Sequence, residues 1–267
     1  NRHGPTLALS RGMIRHLDHL RLGALTVAAG LFLLASPSAH AILRQIPKLD
    51  PIVKRALASE ETSERRVAHA KELLGKYYRR SVVAIDDEIR GFRGFVKERV
   101  TDAFKGPDQK KYSAKVYKTI LTESKKHGFD PIFLMAVIEN ESSFQTKIKG
   151  RDGEIGLMQI LPSTGKWIAE KNGIKWKGKR TLEDPVMNIR IGAAYLAQLR
   201  ERFDSHGRLY LAAYNMGSTN VNRALARDVW PKEYASRVMQ RYVRFYRELV
   251  AAHNTGDASA KNAVITQ

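Results

Sequence analysis

The chain has 267 residues, of which 43% are hydrophobic and 27% charged, a composition that excludes wholesale disorder. It contains no cysteine, which excludes disulfides, cysteine-ligated zinc, iron–sulfur clusters and thiol nucleophiles. The formal charge of +19 favours an anionic partner. Nucleic acid, an anionic membrane and an acidic cell-wall polymer all remain open at this stage.

The first 41 residues predict a secretory signal peptide. A basic start precedes the apolar run 22–35, which is too short for a comfortable membrane span, and residues 39–41 supply a small-x-small cleavage site. The first methionine is Met13, and we expect translation to start there. An uncleaved membrane anchor is the second interpretation. The mature protein is expected to be periplasmic or secreted, with no integral membrane span.

Residues 42–111 predict a basic helical extension. Apolar side chains recur at three- and four-residue steps, as in Ile85, Ile89, Phe92 and Val96. Its 17 basic and 11 acidic residues are mixed in sign, which favours solvated helix faces packed on the next domain over a nucleic-acid surface. A cell-envelope protein partner for this extension is a further prediction.

The sequence predicts two further boundaries in an all-α protein. The break at residues 105–108, Lys-Gly-Pro-Asp, places a domain boundary near residue 111. A second helical domain is expected over 112–250 and a flexible polar tail over 251–267. No run alternates in the manner of a strand.

The first chemical candidate is a glutamate on a predicted core-facing stripe. Asp130-Pro131 opens a helix in which Leu134, Val137, Ile138 and Glu141 follow the i, i+3, i+4, i+7 rule, whereas Glu139 points to the other side. Burial would raise the pKa of Glu141 and suit it to general acid catalysis. On this feature alone a structural glutamate, capped or paired with a lysine, is the commoner outcome.

Four short motifs follow one another from this glutamate onward. They are Glu141-Ser142-Ser143-Phe144, Gly156-Leu157-Met158-Gln159, Asn188-Ile189-Arg190-Ile191-Gly192 and Ala213-Tyr214-Asn215-Met216-Gly217. In this order, over about residues 112–250, they resemble the catalytic domain of the family 1 soluble lytic transglycosylases. The resemblance implies a helical domain with the fold of goose-type lysozyme.

The resemblance also implies a reaction, with Glu141 as the single acid/base of a peptidoglycan lytic transglycosylase. Cleavage is expected at the β-1,4 bond from N-acetylmuramic acid to N-acetylglucosamine. One carboxylate suffices if the substrate's own acetamido oxygen attacks the anomeric carbon. Glu141 would protonate the departing oxygen and then take the proton of the sugar's 6-hydroxyl, which leaves a 1,6-anhydro end. The implied partner is a glycan strand, and no cofactor or metal is implied.

Eight further residues receive substrate-binding roles from the same resemblance. They are Ser142, Gly156, Met158, Gln159, Leu161, Tyr214, Asn215 and Tyr234. Gln159 is expected to hydrogen-bond a sugar substituent. Asn215 would bind an acetamido group or cap the next helix, and Tyr234 would place its hydroxyl near the acid.

The apolar members of this set keep two interpretations. Met158 and Leu161 are equally well explained as walls of the cleft or as ordinary core. Gly156 would allow the backbone to approach a sugar closely, or serve only a turn. Tyr214 is a cleft residue or a core aromatic on equal terms.

Two positions depart from the family pattern. Members often carry a serine nine residues after the glutamate, where this chain has Gly150, and many carry alanine where it has Glu154. A second carboxylate near Glu141 would raise the pKa of that acid further. Glu154 or Asp152 could also serve as a base for water, which would convert the outcome to lysozyme-type hydrolysis.

A basic loop around Trp176 completes the candidates. Lys175, Lys177 and Lys179 flank the indole and could steer a glycan strand or single-stranded nucleic acid, although a solvated connecting loop is the favoured interpretation. No nucleic-acid-binding motif and no metal-ligand spacing accompanies it. The functional alternatives are therefore a transglycosylase, a hydrolytic muramidase, and a catalytically silent peptidoglycan-binding or assembly protein.

Overall fold

The computed structural model describes the backbone of residues 51–84, 92–104 and 107–265, and the side chains of 63–84, 92–104 and 110–254. The chain divides into two compact units, 1–61 and 62–267. In the first unit the described part is helical backbone, and the predicted signal peptide lies outside the described residues. All side-chain contacts discussed below belong to the second unit.

Helices account for the regular structure of the described residues, which confirms the all-α prediction. A 3₁₀ helix, Gly75–Arg80, follows α1, and three isolated β-bridges occur in loops. The α-helices are α1 Pro51–Leu74, α2 Phe92–Ala103, α3 Pro107–His127, α4 Pro131–Ser142, α5 Pro162–Lys171, α6 Arg180–Glu183, α7 Pro185–Arg202, α8 Gly207–Met216, α9 Ser218–Leu225 and α10 Glu233–Ile265.

Helix α4 lies at the centre of the second unit. Every residue from Pro131 to Ile138 is buried, as expected for a helix that is apolar all round and packs against neighbours on all sides. The predicted start signal is confirmed: the Asp130 carboxylate caps the helix by accepting from the Ile132 N–H at 2.8 Å, and Pro131 occupies the first helical position. Helices α3 and α10 pack directly on α4.

A buried polar network holds the N-terminal end of α4. Asp130 Oδ2 accepts hydrogen bonds from the hydroxyls of Tyr242, at 2.7 Å, and Tyr246, both on α10. The Asp130 backbone N–H donates to His69 Nδ1 at 3.1 Å. Because that nitrogen accepts, the proton of the neutral ring is on Nε2, which lies 3.1 Å from the Tyr210 hydroxyl. Burial, with Arg200 nearby, lowers the pKa of His69 well below its usual value, so the ring stays neutral.

The second half of α1 is an integral part of this unit. Arg200 on α7 donates through Nε to both carboxylate oxygens of Glu72, at 3.0 and 2.8 Å, and through Nη2 to the second oxygen. Its Nη1 also donates to the carbonyls of His127 and Gly128 where α3 ends. The unit beginning at Thr62 continues past residue 111 without a division, and the domain boundary near residue 111 stays a prediction.

The predicted apolar stripe of the extension is present in part. Phe95, Val96 and Val100 are buried on α2, whereas Ile85 and Ile89 lie outside the described residues. At the other end of the chain α10 continues to residue 265, through most of the stretch predicted as a flexible tail. That stretch contains five alanines and no proline, a composition compatible with helix. None of the helices in the described portion combines the length and apolar content needed to cross a membrane.

Candidate active site

The last turn of α4 presents Glu141 to a groove. Leu134, Val137 and Ile138 are fully buried and Glu141 is half-buried at the end of their stripe, so the predicted periodicity is confirmed. Glu139 faces elsewhere and pairs with Arg244. The groove has a volume of about 370 Å³. It is lined by Glu141, Gly150, Arg151, Asp152, Glu154, Gln159, Ile160, Leu161, Thr164, Tyr195, Tyr214, Asn215, Met216 and Gly217.

The surroundings of Glu141 raise its pKa. Burial is the largest cause, and the negative charge of Glu154 acts in the same direction. Hydrogen bonds from Tyr234 and Asn140 and the positive charge of Arg237 favour the carboxylate and oppose the rise. Because burial prevails, Glu141 holds its proton to a higher pH than a free glutamate, which suits a general acid.

Two tyrosines form the wall behind the acid. The Tyr234 hydroxyl, from the start of α10, donates to Glu141 Oε1, and the Tyr214 hydroxyl donates to the Met158 carbonyl at 2.8 Å. The two rings are nearly parallel, with centroids 6.3 Å apart. Burial, followed by the charge of Glu141, raises the pKa of both phenols well above 10, so both remain neutral donors. The predicted position of Tyr234 beside the acid agrees with this geometry.

Asn188 organises the loop opposite the acid. Its fully buried amide accepts from the Met158 N–H at 2.7 Å and donates to the carbonyls of Ile155 and Leu182 at 2.8 and 2.9 Å. Gly156 has a φ of +79° and lies against this amide, so a Cβ there would come within 2.5 Å of Asn188 Nδ2. The close approach at Gly156 is therefore to Asn188, behind the groove wall.

Gln159 turns its amide group toward the loop backbone. Its Nε2 donates to the carbonyls of Gly156 and Ile148, at 2.8 and 3.3 Å. The residue has a φ of +46°, an uncommon conformation for a residue with a side chain. With both N–H groups directed at the backbone, Gln159 presents its Oε1 as the acceptor for a substrate donor.

The other predicted binding residues fall into two groups. Leu161, Tyr214 and Asn215 line the groove, with Leu161 and Asn215 exposed. Ser142 and Met158 are buried behind it: the Ser142 hydroxyl donates to the Leu157 carbonyl at 2.8 Å, and Met158 packs beneath α7. These two buried residues support the wall without lining the groove, and direct sugar contacts for any member of the set remain predictions.

Three groove-side aromatic and apolar residues were not predicted as site residues. Tyr195 lines the groove, and its ring lies 5.3 Å from that of Tyr214 and 6.4 Å from that of Trp167. Met216, which lines the groove, and Trp167 are exposed by 37% and 47%. Tyr195 belongs to α7, which contains the quoted Asn188 motif, whereas Met216 and Trp167 are recognised only in the structure, by their exposed apolar side chains.

The basic loop makes a different contribution. Trp176 is only partly buried, and its ring approaches the Cβ position of Gly165 on α5 to within 3.1 Å. The indole thus packs on the domain rather than standing free among the lysines. Within the described residues, no three histidine, aspartate or glutamate side chains are grouped as metal ligands would be.

Residues 118–237 match the family model described as "Transglycosylase SLT domain". A putative soluble lytic murein transglycosylase from Haemophilus influenzae is 37% identical over 95 residues, which are 36% of this chain and 16% of that protein. The family predicted from the sequence motifs is therefore confirmed for this segment. The chain spans only a small part of the length of this curated relative.

Two solved structures show weaker likeness. One is an inactive mutant of the lytic transglycosylase Slt from Pseudomonas aeruginosa, with a TM-score of 0.47 and 22% identity, covering 81% of this chain and 44% of that one. The other is the 70 kDa soluble lytic transglycosylase from Escherichia coli, with a TM-score of 0.41 and 19% identity, covering 82% of this chain and 34% of that one.

Proposed function

Since residues 118–237 are a transglycosylase SLT domain, we propose that this protein is a peptidoglycan lytic transglycosylase with Glu141 as its single acid/base. The observation that carries the proposal is the position of Glu141, half-buried at a groove with its pKa raised by burial. A carboxyl group in that setting holds its proton to a higher pH than a free glutamate and can donate it to the departing glycosidic oxygen.

The reaction proceeds in two steps. The acetamido oxygen of N-acetylmuramic acid attacks the anomeric carbon while Glu141 protonates the leaving N-acetylglucosamine oxygen. Glu141, now a carboxylate, takes the proton of the 6-hydroxyl as that oxygen closes on the anomeric carbon. The product is a 1,6-anhydro end, and the fixed geometry of one sugar supplies much of the rate.

Tyr234 acts on both steps. Its hydroxyl donates to Glu141 Oε1 and stabilises the carboxylate that forms after the first proton transfer. Its own pKa is raised well above 10, so it does not compete as an acid. Asn215 and the Gln159 carbonyl oxygen face the same groove and provide a donor and an acceptor for the substituents of a sugar.

The test is a digest of purified sacculi followed by mass spectrometry. Anhydro ends support transglycosylation, ends one water heavier indicate a hydrolytic muramidase, and no release at all indicates a wall-binding or assembly protein. Glu141→Gln should abolish release while the folded protein still binds sacculi in a pull-down. Release at the wild-type rate by this variant would contradict the assignment of the acid.

The substrate sets the proposed location. Peptidoglycan lies in the cell envelope, and a secreted or periplasmic enzyme would reach it after cleavage of the predicted segment 1–41. The net positive charge would favour association with a wall made polyanionic by lactyl and peptide carboxylates. An envelope protein partner for residues 42–111 remains a proposal.

A further inference from the structure

The two departures from the family pattern meet at one point in the groove. Gly150 does not have the left-handed backbone conformation that favours glycine, so its backbone would accept another residue. The space that a side chain at this position would need is already occupied. A Cβ at this position would lie 2.2 Å from Glu154 Oε2 and 2.9 Å from Gln159 Oε1. The absence of a side chain at 150 therefore makes room for the carboxylate of Glu154.

A short turn holds Glu154 in this place. The Gly150 N–H donates to the Glu154 carbonyl at 2.9 Å, and the Gly153 N–H donates back to the Gly150 carbonyl at 3.3 Å. The Asp152 N–H donates to Glu154 Oε2 at 3.0 Å. One carboxylate oxygen is thus fixed by the backbone, and no hydrogen bond from the described residues engages the other. The half-buried carboxylate keeps an acceptor available to a ligand.

Glu154 is close enough to Glu141 to act on the same sugar. Both residues line the groove, and the charge of Glu154 is felt at Glu141. Asp152 also lines the groove but is exposed to solvent, where its charge is screened. Arg151 also lines the groove, but no arginine or lysine in the described part of the chain forms an ion pair with Glu154.

We propose that Glu154 accepts the acetamido N–H of the N-acetylmuramic acid that is cleaved, and that it stabilises the positive charge of the cyclised sugar. This inference rests on the proposed function. When the acetamido oxygen bonds to the anomeric carbon, the glycosidic bond breaks and its electron pair leaves with the oxygen that Glu141 protonates. The resulting ring is cationic, with part of the charge on nitrogen.

The role of Glu154 follows from where that charge develops. The N–H becomes a stronger donor as the ring closes, so a carboxylate that accepts it binds the transition state better than the ground state. When the 6-hydroxyl oxygen then bonds to the anomeric carbon, its proton passes to Glu141 and the acetamido group is restored. Glu154 keeps its charge throughout and exchanges no proton.

The primary variant is Glu154→Gln, which keeps the shape and one acceptor oxygen but removes the charge. We expect kcat on a soluble peptidoglycan glycan to fall by about 10- to 100-fold, the usual range for a hydrogen bond to a charged group, with KM little changed. An unchanged kcat, or a loss confined to KM, would overturn the proposal.

A binding measurement tests the cationic state directly. A 2-aminothiazoline derivative of N-acetylmuramic acid is a stable cyclic mimic of the intermediate, because its basic ring carries an N–H and a positive charge near neutral pH, and calorimetry gives its affinity beside that of an uncyclised N-acetylated glycan. Glu154→Gln should weaken binding of the cyclic compound by about tenfold or more and leave the uncyclised glycan unaffected. Equal weakening of both compounds would assign Glu154 to ordinary substrate binding and contradict the inference.

Gly150→Ala tests the geometry without removing the carboxylate. The added methyl group would displace the Glu154 carboxylate, and we expect a loss of kcat like that of Glu154→Gln. The double variant should be no slower than either single variant, since both remove one interaction. Additive losses would show that the two positions act separately.

Matched controls separate the site from general effects. Glu170→Gln removes a carboxylate whose side chain is 62% exposed, and Gly94→Ala adds a methyl group with nothing within 4 Å. Both should retain wild-type kcat, and circular dichroism should show native helix content for every variant. If the wild type releases nothing from sacculi, the proposed function itself fails, whereas an active wild type with an equally active Glu154→Gln overturns this inference alone.

Discussion

Tyr234→Phe would test how the protonation of Glu141 is set. The substitution removes the hydroxyl that donates to Glu141 Oε1 while keeping a ring that is only 5% exposed. A hydrogen bond to a charged group contributes about 1.5–3 kcal/mol, and about 1.4 kcal/mol corresponds to one pKa unit. Asn140 and Arg237 continue to favour the carboxylate, so we take the lower end of the range. The pKa of Glu141 should therefore rise further above its usual value.

The sign of this change can be read from the pH profile of kcat/KM. The hydroxyl lowers the pKa of Glu141, so its loss should keep the acid protonated to higher pH. The alkaline limb of the profile should therefore shift to higher pH. The maximal rate should fall about tenfold, because a carboxyl group whose carboxylate is less stabilised donates its proton to the departing oxygen less readily in the first step. Tyr77→Phe, at a side chain 65% exposed, is the control. An alkaline limb that stays at the same pH, or shifts to lower pH, would refute the reasoning.

Three stability predictions follow from the buried contacts. Asp130→Ala removes a helix cap, which costs about 1 kcal/mol, and leaves the buried Tyr242 hydroxyl without its acceptor, which costs about 1–3 kcal/mol more. The free energy of unfolding measured in urea should therefore fall by about 3 kcal/mol. Asp130→Asn should be less affected. Gly192→Ala places a methyl group 2.4 Å from the sulfur of buried Met158 and should lower the free energy of unfolding by about 1–3 kcal/mol. An unchanged urea midpoint would mean that the structure accommodates the methyl group without strain. The pKa of His69 is lowered in the folded state, so the neutral ring contributes fully to stability above the unfolded-state pKa of about 6.5. Below that pH the unfolded chain binds a proton that the folded ring does not, and the free energy of unfolding should fall by about 1.4 kcal/mol per pH unit. Wild type and His69→Gln titrated at several pH values should differ in this slope, and equal slopes would contradict the neutral buried ring.

The sequence was most informative where local rules decide the structure. The Asp130-Pro131 start of α4 and the stripe ending at Glu141 follow from capping and from the 3.6-residue period, and both are confirmed. The motif order identified the family over residues 118–237. These features depend on neighbours a few positions apart, which a single sequence shows directly.

Longer-range packing could not be obtained in this way. Periodicity cannot tell a residue that lines a groove from one directly behind it, which is why Ser142 and Met158 were grouped with Leu161. The ion pair of Glu72 with Arg200 joins positions 128 residues apart, and no local pattern predicts such a partner. The fit of the Glu154 carboxylate above Gly150 likewise appears only once the turn is folded.

The polar network around Asp130 defines how much of the chain helix α4 requires. Three of its members, His69, Tyr242 and Tyr246, lie outside the segment 118–237 that carries the family signature. A fragment limited to that segment would leave the Asp130 carboxylate without its two tyrosine donors and would leave a cavity in place of the His69 ring. The shortest fragment that folds on its own should therefore begin no later than the second half of α1 and end beyond Tyr246.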